Sequence, residues 1–424
     1  MKRPVLIAVA LTLVIALTLP AASVAQEEVT LNWLEWWDPE FSVETMDQLV
    51  AGFEEMYPNI KINRTAVPWG NMYENLVTSA QSPTAMYDVV GMEWIWMTGL
   101  DKLGLFEDLG PWIAQAPEEW QAQRVPGTAV QWAGMTEMIY WYILPYGLAY
   151  NIDMLEAAGV EPPTNWDDFV AAAEALRNED AGVYGFAISA GQNNSAVYFY
   201  LADLMQQLGG HFLDEEGNPN FTSPEGVQAM EMWKEFYDAG LAVPGSLAET
   251  HTSTREYFST GRIAMIWDGP FIGTIAHQVN PDMRVAYAPA WQNETGGYMW
   301  SGSGLAMAAN SEHKEEAWLF LQYLLSPEVA VMMTEATSIP YGCNVVLDEV
   351  LATSEDPILR EIPAMLTQDP EYNYFQQPIP EYETTHDTLM LAIQEILAGD
   401  KSAQEALDEA AAVWQEEIDK VREE

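Results

Sequence analysis

The chain has 424 residues, 49% of them apolar, and 64 acidic against 16 basic side chains, a net charge of −48. That length and apolar content suit two ordinary domains with filled cores and exclude a disordered chain. So large a negative charge argues against nucleic acid and anionic membranes as partners.

Residues 1–25 read as a cleaved export signal. Lys2 and Arg3 give the positive start, residues 5–19 the apolar stretch, and Ser23-Val24-Ala25 a small-x-small cleavage site. The apolar stretch falls short of the roughly 20 residues a spanning helix needs. No cysteine stands at the cleavage point to carry a lipid. The single cysteine, Cys343, lies far downstream, so no internal disulfide can form. The expected location is therefore periplasmic or otherwise extracytoplasmic. Cleavage removes Lys2 and Arg3 and no acid, leaving 14 basic and 64 acidic groups, a net of −50. The acids are scattered along helical faces, which suggests a solvated surface adapted to high salt, where screening removes carboxylate repulsion. Transfer to low salt is expected to lower the melting temperature steeply; a salt-independent transition would refute this.

Residues 29–34 read as a strand. Ser42 caps a helix whose stripe is Val43, Met46, Leu49, Val50, Phe53 and Met56, ended by Pro58. Residues 60–67 alternate as a strand, 71–81 form a helix, and 87–92 are an apolar run of the buried parallel kind. The pattern restarts with a strand at 147–151 and a helix capped by Thr164 with Asp167. A strand at 182–189 follows, then a helix opened by Ser223-Pro224, and strands at 262–270 and 302–308. Helices at 315–325, from Ser326-Pro327, and at 385–398 and 402–421 close the chain. Strands alternating with helices predict an α/β fold with mostly parallel sheets.

Four stretches, in order, carry a resemblance: "YGLAYNIDMLEAAGVEPPTNWDDFVAAAEAL" (146–176), "LMQQLGGHFLDEEGNPNFTSPEGVQAMEMWKEFYDAG" (204–240), "FSTGRIAMIWDGPF" (258–271) and "AWLFLQYLLSPEVAVMMTEATSIP" (317–340), the last holding a helix pair and then a proline. The chain resembles the solute-binding proteins of ABC importers, in particular the large group binding maltose, trehalose and multiple sugars. The resemblance implies a two-lobe periplasmic-binding-protein fold with ligand in a hinged cleft. It implies crossings near 143–147, 297–301 and 325–327. The lobes would be 26–143 plus 300–326, and 144–299 plus 327–424. It also implies an ABC permease as membrane partner, no cofactor, and a chain acting as a monomer.

A pyranose has an apolar face that flat rings cover and a belt of hydroxyls that carboxylates and amides bond. Aromatic and polar residues recur at the strand ends: Trp36, Trp37 and Asp38; Trp69 and Tyr73; Glu93 and Trp94; Tyr146 at the first crossing. Further along stand Asn193, Asn194 and Tyr198; Trp267, Asp268 and Phe271, where the family more often has Trp; Trp300, Ser301 and Gly302; and Tyr341. Trp33, on the strand itself, is expected in the core, as are Trp166, Trp233, Trp318 and Trp414 on helical stripes. No basic residue falls in this set, which disfavours acidic or phosphorylated ligands. A neutral di- or oligosaccharide fits best; a betaine- or polyamine-like cation is the alternative. A secreted carbohydrate-active enzyme would also have a Trp-lined cleft with two carboxylates. No nucleophile elbow or zinc-protease motif is present, and His211, His251, His277, His313 and His386 lack metal-ligand spacing and read as surface or capping residues. An adhesive surface protein is the remaining rival, given the Asn-x-Ser/Thr triplets at Asn63, Asn193, Asn220 and Asn293.

Overall fold

A computed structural model describes residues 28–82, 84–125, 127–132, 134–191, 196–375 and 381–423. The signal expected at 1–25 lies outside the described residues, as do Asn193 and Asn194.

The first half supplies strands β1 (Val29–Glu35), β2 (Ile60–Ala66), β3 (Val89–Glu93), β4 (Ala129–Trp132), β5 (Met135–Tyr140), β6 (Leu144–Pro145) and β7 (Gly147–Asn151). The second supplies β8 (Met265–Asp268), β9 (Val285–Tyr287), β10 (Met299–Ser301), β11 (Ser303–Met307) and β12 (Tyr374–Phe375). Six strands form one sheet in the order β2-β1-β3-β11-β5-β4. Its parallel part is β2-β1-β3; β11, β5 and β4 continue it antiparallel. A second sheet, β8-β7-β9, is antiparallel throughout. The expected parallel character is thus confined to the first three strands of the larger sheet and a short β10-β12 ladder. The stretch 182–189 forms no regular strand; it joins the second lobe through single bridges, Tyr184 to Ile263 and Phe186 to Ala242.

The helices form where apolar spacing and caps agree. Val43–Met56 starts at Ser42, whose Oγ accepts from the Thr45 N–H at 3.2 Å, and buries Met46, Leu49 and Phe53. Each such side chain contributes roughly 1.5–3 kcal/mol. Helix Trp166–Leu176 is capped by Asn165, one residue later than expected: its Oδ1 accepts from the Asp168 N–H at 2.9 Å, while Thr164 Oγ1 donates to the Asp168 carboxylate. Trp33 has no exposed surface and meets Phe320 edge-on. Trp166, Trp233, Trp318 and Trp414 are all buried. The second core centres on Phe169, which stacks on Phe236 and meets Phe186 edge-on.

Two crossings join the sheets. β5 runs through β6 into β7, and β10 runs into β11; β6 and β10 pair antiparallel through Trp300–Pro145 and Ser301–Leu144. Gly302 is needed there, since a Cβ would lie 2.2 Å from the Tyr142 carbonyl oxygen. Residues 325–327 do not cross. Ser326 caps helix Pro327–Thr337 directly after Lys314–Leu324, making a helix corner, and Pro327–Thr337 packs on the first lobe's helices Asp38–Phe41, Val43–Met56 and Lys314–Leu324. The chain reaches the second lobe further on, where the Pro357 carbonyl accepts from the Tyr287 N–H.

Candidate functional site

The carboxyl end of β1 builds one wall of the cleft. Glu35 has no exposed side-chain surface and accepts from the Trp37 N–H at 2.5 Å and from Arg64 on β2 at 2.5 Å. Arg64 also pairs with Asp38. Asp38 is therefore committed to holding the turn. The short helix Asp38–Phe41 that follows carries Glu40 inward. It also turns the Pro39 carbonyl toward the other lobe, where it accepts from Gln278 Nε2 at 3.1 Å. Trp36 and Trp37 lie over Gly91 of β3, where a Cβ would come within 2.6 Å of the Trp36 ring. Trp36 meets Trp96 at 5.6 Å between centroids, and Trp96 meets Trp69 at 5.4 Å. Trp69 is 45% exposed and donates from Nε1 to Glu93 at 3.2 Å.

Two partly buried carboxyl groups stand on this wall. Glu93, at the end of β3, also accepts from Ser303 Oγ at 2.7 Å. Glu40 accepts from the Tyr142 hydroxyl at 3.4 Å, and that hydroxyl in turn accepts from Trp37 Nε1 at 2.8 Å. Burial pushes Glu93 up to about 8, against the hydrogen bonds from Ser303 and Trp69. Burial likewise pushes Glu40 up to about 7, against the pull of Arg255 and the Tyr142 bond. Asp203, buried beneath Trp267 and bonded to the Met299 N–H, is raised to about 8 for the same first reason. These groups keep protons in the folded chain that the unfolded chain releases near pH 4–4.5, so stability falls as pH rises from about 4.5 to about 8. At constant high salt, the melting temperature of the ligand-free protein is expected to drop across that window, and Glu93→Gln to flatten the slope. A melting temperature that rises from pH 5 to 8 would refute it.

The facing wall comes from the second lobe. Arg255, on helix His251–Ser259, grips Asp268 at the end of β8 with Nε at 2.7 Å and Nη2 at 2.8 Å. The Gly269 N–H adds a bond at 2.8 Å. Burial opposes ionisation of Asp268, but the guanidinium outweighs it and holds the group below the ordinary carboxylate range. Arg255 also lies over the Phe271 ring at 4.8 Å. Tyr146, at the first crossing, stacks on Phe199 at 3.7 Å and runs nearly parallel to His251. Burial and Arg255 push His251 down to about 4, so it is neutral at physiological pH.

The structure thus groups Glu93, Tyr146 and Asp268 with Glu40 and Arg255 in mutual electrostatic reach, with Trp69 bonded to Glu93, Trp36 joined to Trp69 through Trp96, and Phe271 beneath Arg255. Other expected residues sit elsewhere. Trp37 has no exposed surface and packs among Trp36, Trp141 and Phe41. Trp94 is buried, and the Tyr73 hydroxyl lies against Gly99. Trp267 packs on Trp291 and donates to Asp203. Tyr198 packs on Phe212 and Trp414 in the second core. Trp300 and Ser301 are buried in the crossing ladder, and Tyr341 is buried against Trp141. Sequence reasoning missed Glu40, Trp96, Tyr142, Arg255 and His251. The expectation of a site without basic residues is corrected by Arg255, although its charge is committed to Asp268. The reading of His251 as a surface group is corrected too: its Nε2 is buried and unpartnered among the described residues. Among those residues no three His, Cys, Asp or Glu side chains converge on a metal-sized site, and no helix is long and apolar enough to cross a membrane.

The family described as bacterial extracellular solute-binding protein matches residues 42–331. The chain belongs to this family. A putative binding protein of Brucella abortus is 25% identical over 388 residues, covering 88% of this solute-binding protein and 90% of the relative. The melibiose/raffinose/stachyose-binding protein of Bacillus subtilis is 23% identical over 325 residues, 74% of each chain. An ABC transporter solute-binding protein of Thermotoga lettingae, solved with α-D-tagatose bound, shares the fold with a TM-score of 0.79 at 23% identity, covering 92% of this chain and 99% of that one. The fold is the two-lobe binding-protein fold, and the family acts outside the cytoplasm by binding solutes.

Proposed function

We propose that this solute-binding protein is the substrate-binding component of an ABC importer and takes a neutral di- or oligosaccharide between its lobes. The observation that carries this reading is the pairing of rings with carboxyl groups on both walls. Trp36, Trp96 and Trp69 stand beside Glu40 and Glu93 on one side, and Tyr146 and Phe271 beside Asp268 on the other. Rings cover the C–H faces of a pyranose and carboxyl groups bond its hydroxyls. The saccharide named in the Bacillus subtilis relative and the sugar in the Thermotoga lettingae structure support the same class.

The partner would be a membrane permease, with the chain exported by residues 1–25 and acting as a monomer without catalysis. The lobes are 26–143 plus 300–326 and 144–299 plus 327–424, with helix Pro327–Thr337 returned to the first because it packs there. The test is a thermal-shift screen of the mature chain in high salt against neutral di- and oligosaccharides, sugar phosphates and cationic osmolytes. A ligand that binds only the folded state raises the melting temperature. A shift with a neutral saccharide supports the reading. A shift with sugar phosphates alone, or with betaine-like cations alone, refutes it. Labelled oligosaccharide that comes back cleaved would refute the non-catalytic assignment.

A further inference from the structure

Helix His251–Ser259 of the second lobe begins at a fixed point. The Thr250 N–H donates to Ser253 Oγ at 2.9 Å and the Ser253 N–H donates to Thr250 Oγ1 at 3.4 Å, which holds the first helical residue, His251, in place. Arg255 stands four residues on, over the same helix face. That face is the cleft wall: Arg255 grips Asp268 and acts across the lobes on Glu40. His251 lies in electrostatic reach of Arg255 and Asp268. Its ring runs at 17° to Tyr146 of the first crossing, with 6.1 Å between centroids. Tyr146 is itself in reach of Glu40 and Glu93 on the opposite wall.

His251 Nε2 is buried and has no hydrogen-bond partner among the described residues. Asp268, the acid acting on it, has none to offer: Arg255 takes both its oxygens, and the Gly269 N–H bonds Oδ1 as well. A buried polar atom without a partner lowers stability, so its presence calls for a reason. In a ligand cleft, the reason is a bond that the ligand completes. Burial and the charge of Arg255 keep the imidazole neutral, so one ring nitrogen donates and the other accepts. A hydroxyl does both and pairs with either tautomer. A carboxylate cannot donate, and an ammonium cannot accept.

We propose that His251 binds the ligand, its Nε2 hydrogen-bonding one saccharide hydroxyl and selecting for sugars that place a hydroxyl there. This rests on the saccharide reading above and deepens it. Rings that cover C–H faces tolerate many sugars, whereas a buried polar atom rejects an analogue that leaves it unpaired. His251 is thus a source of selectivity on the second wall.

The experiment is calorimetric titration of the mature chain in high salt with maltose, cellobiose, melibiose and raffinose, then with the monodeoxy analogues of whichever binds best. His251→Phe keeps a ring beside Tyr146 and removes the unpartnered atom. Its ligand-free melting temperature should hold or rise, while affinity falls about ten-fold. His251→Gln puts a polar group back near Nε2 and should recover part of that loss. In the wild-type chain one monodeoxy analogue should bind about ten-fold more weakly than its parent, and this gap should vanish in His251→Phe. Wild-type affinity in His251→Phe overturns the inference and leaves the saccharide reading standing. Every deoxy gap surviving in His251→Phe overturns it too. So does an affinity loss matched by a fall in ligand-free melting temperature in both variants, since packing alone predicts that. Binding of none of the four sugars by the wild-type chain overturns the saccharide reading and this inference with it.

Discussion

Asp268→Asn is expected to destabilise the protein by about 3–5 kcal/mol, a fall in melting temperature on the order of 10 °C. The side chain has no exposed surface, and Arg255, only 21% exposed, holds it with two bonds. Asparagine keeps the shape but leaves the guanidinium buried beside a neutral amide, and an uncompensated charge there costs far more than the pair was worth. Asp268 also anchors the turn at Gly269 and, through its carbonyl, the Tyr287 hydroxyl at 2.7 Å. The distinguishing measurement is a double-mutant cycle. Adding Arg255→Met to Asp268→Asn should recover most of the loss, because the orphaned charge is gone. A single variant within 1 kcal/mol of the parent by denaturant titration would mean that water reaches the pair and that the second lobe's wall is soft.

Trp37→Ala and Trp69→Ala are expected to part company. Trp37 is fully buried, stacks on Phe41, meets Trp36 at 4.4 Å and Trp141 at 4.8 Å, and donates to Tyr142. Truncating it leaves a large cavity and costs about 3–5 kcal/mol. Trp69 is 45% exposed, so its loss should cost under about 1 kcal/mol of stability. Binding, though, should weaken five- to ten-fold, the worth of about 1–1.4 kcal/mol for a ring stacked on a ligand. Melting and affinity measured on the same two variants decide it. Equal stability losses would move Trp69 into the core; unchanged affinity in Trp69→Ala would move the ligand away from this lip.

Periodicity exposed most of the helices and the strands of the larger sheet, because their apolar positions recur at fixed spacing and Ser42, Ser223 and Ser326 cap where expected. The stretch 182–189 misled because β-branched and aromatic residues also suit an extended segment that pairs only through isolated bridges. The site was harder to read. Searching strand ends finds Trp36, Glu93 and Asp268 but cannot separate two adjacent rings: both pack over Gly91, and only tertiary partners divide them, Trp96 for Trp36 and Phe41 with Trp141 for Trp37. Arg255 sits on a helix thirteen residues before its partner, with no local pattern to mark it. Glu40 lies just ahead of a strong helix cap and reads as a surface acid until the one-turn helix Asp38–Phe41 rotates it inward.

The ladder between β6 and β10 is only two residue pairs long, and Pro145 within it has no N–H to give. So thin a joint passes little cooperativity from one lobe to the other. Three passages of chain and a few contacts such as Gln278 to the Pro39 carbonyl are all that tie the lobes, so the empty chain is best regarded as two weakly coupled folding units. Cargo that touches both walls becomes the missing interface between them. Occupancy then decides whether the molecule comes apart in two events or one, and a half-melted, ligand-free chain would be the form first met by proteases outside the cell.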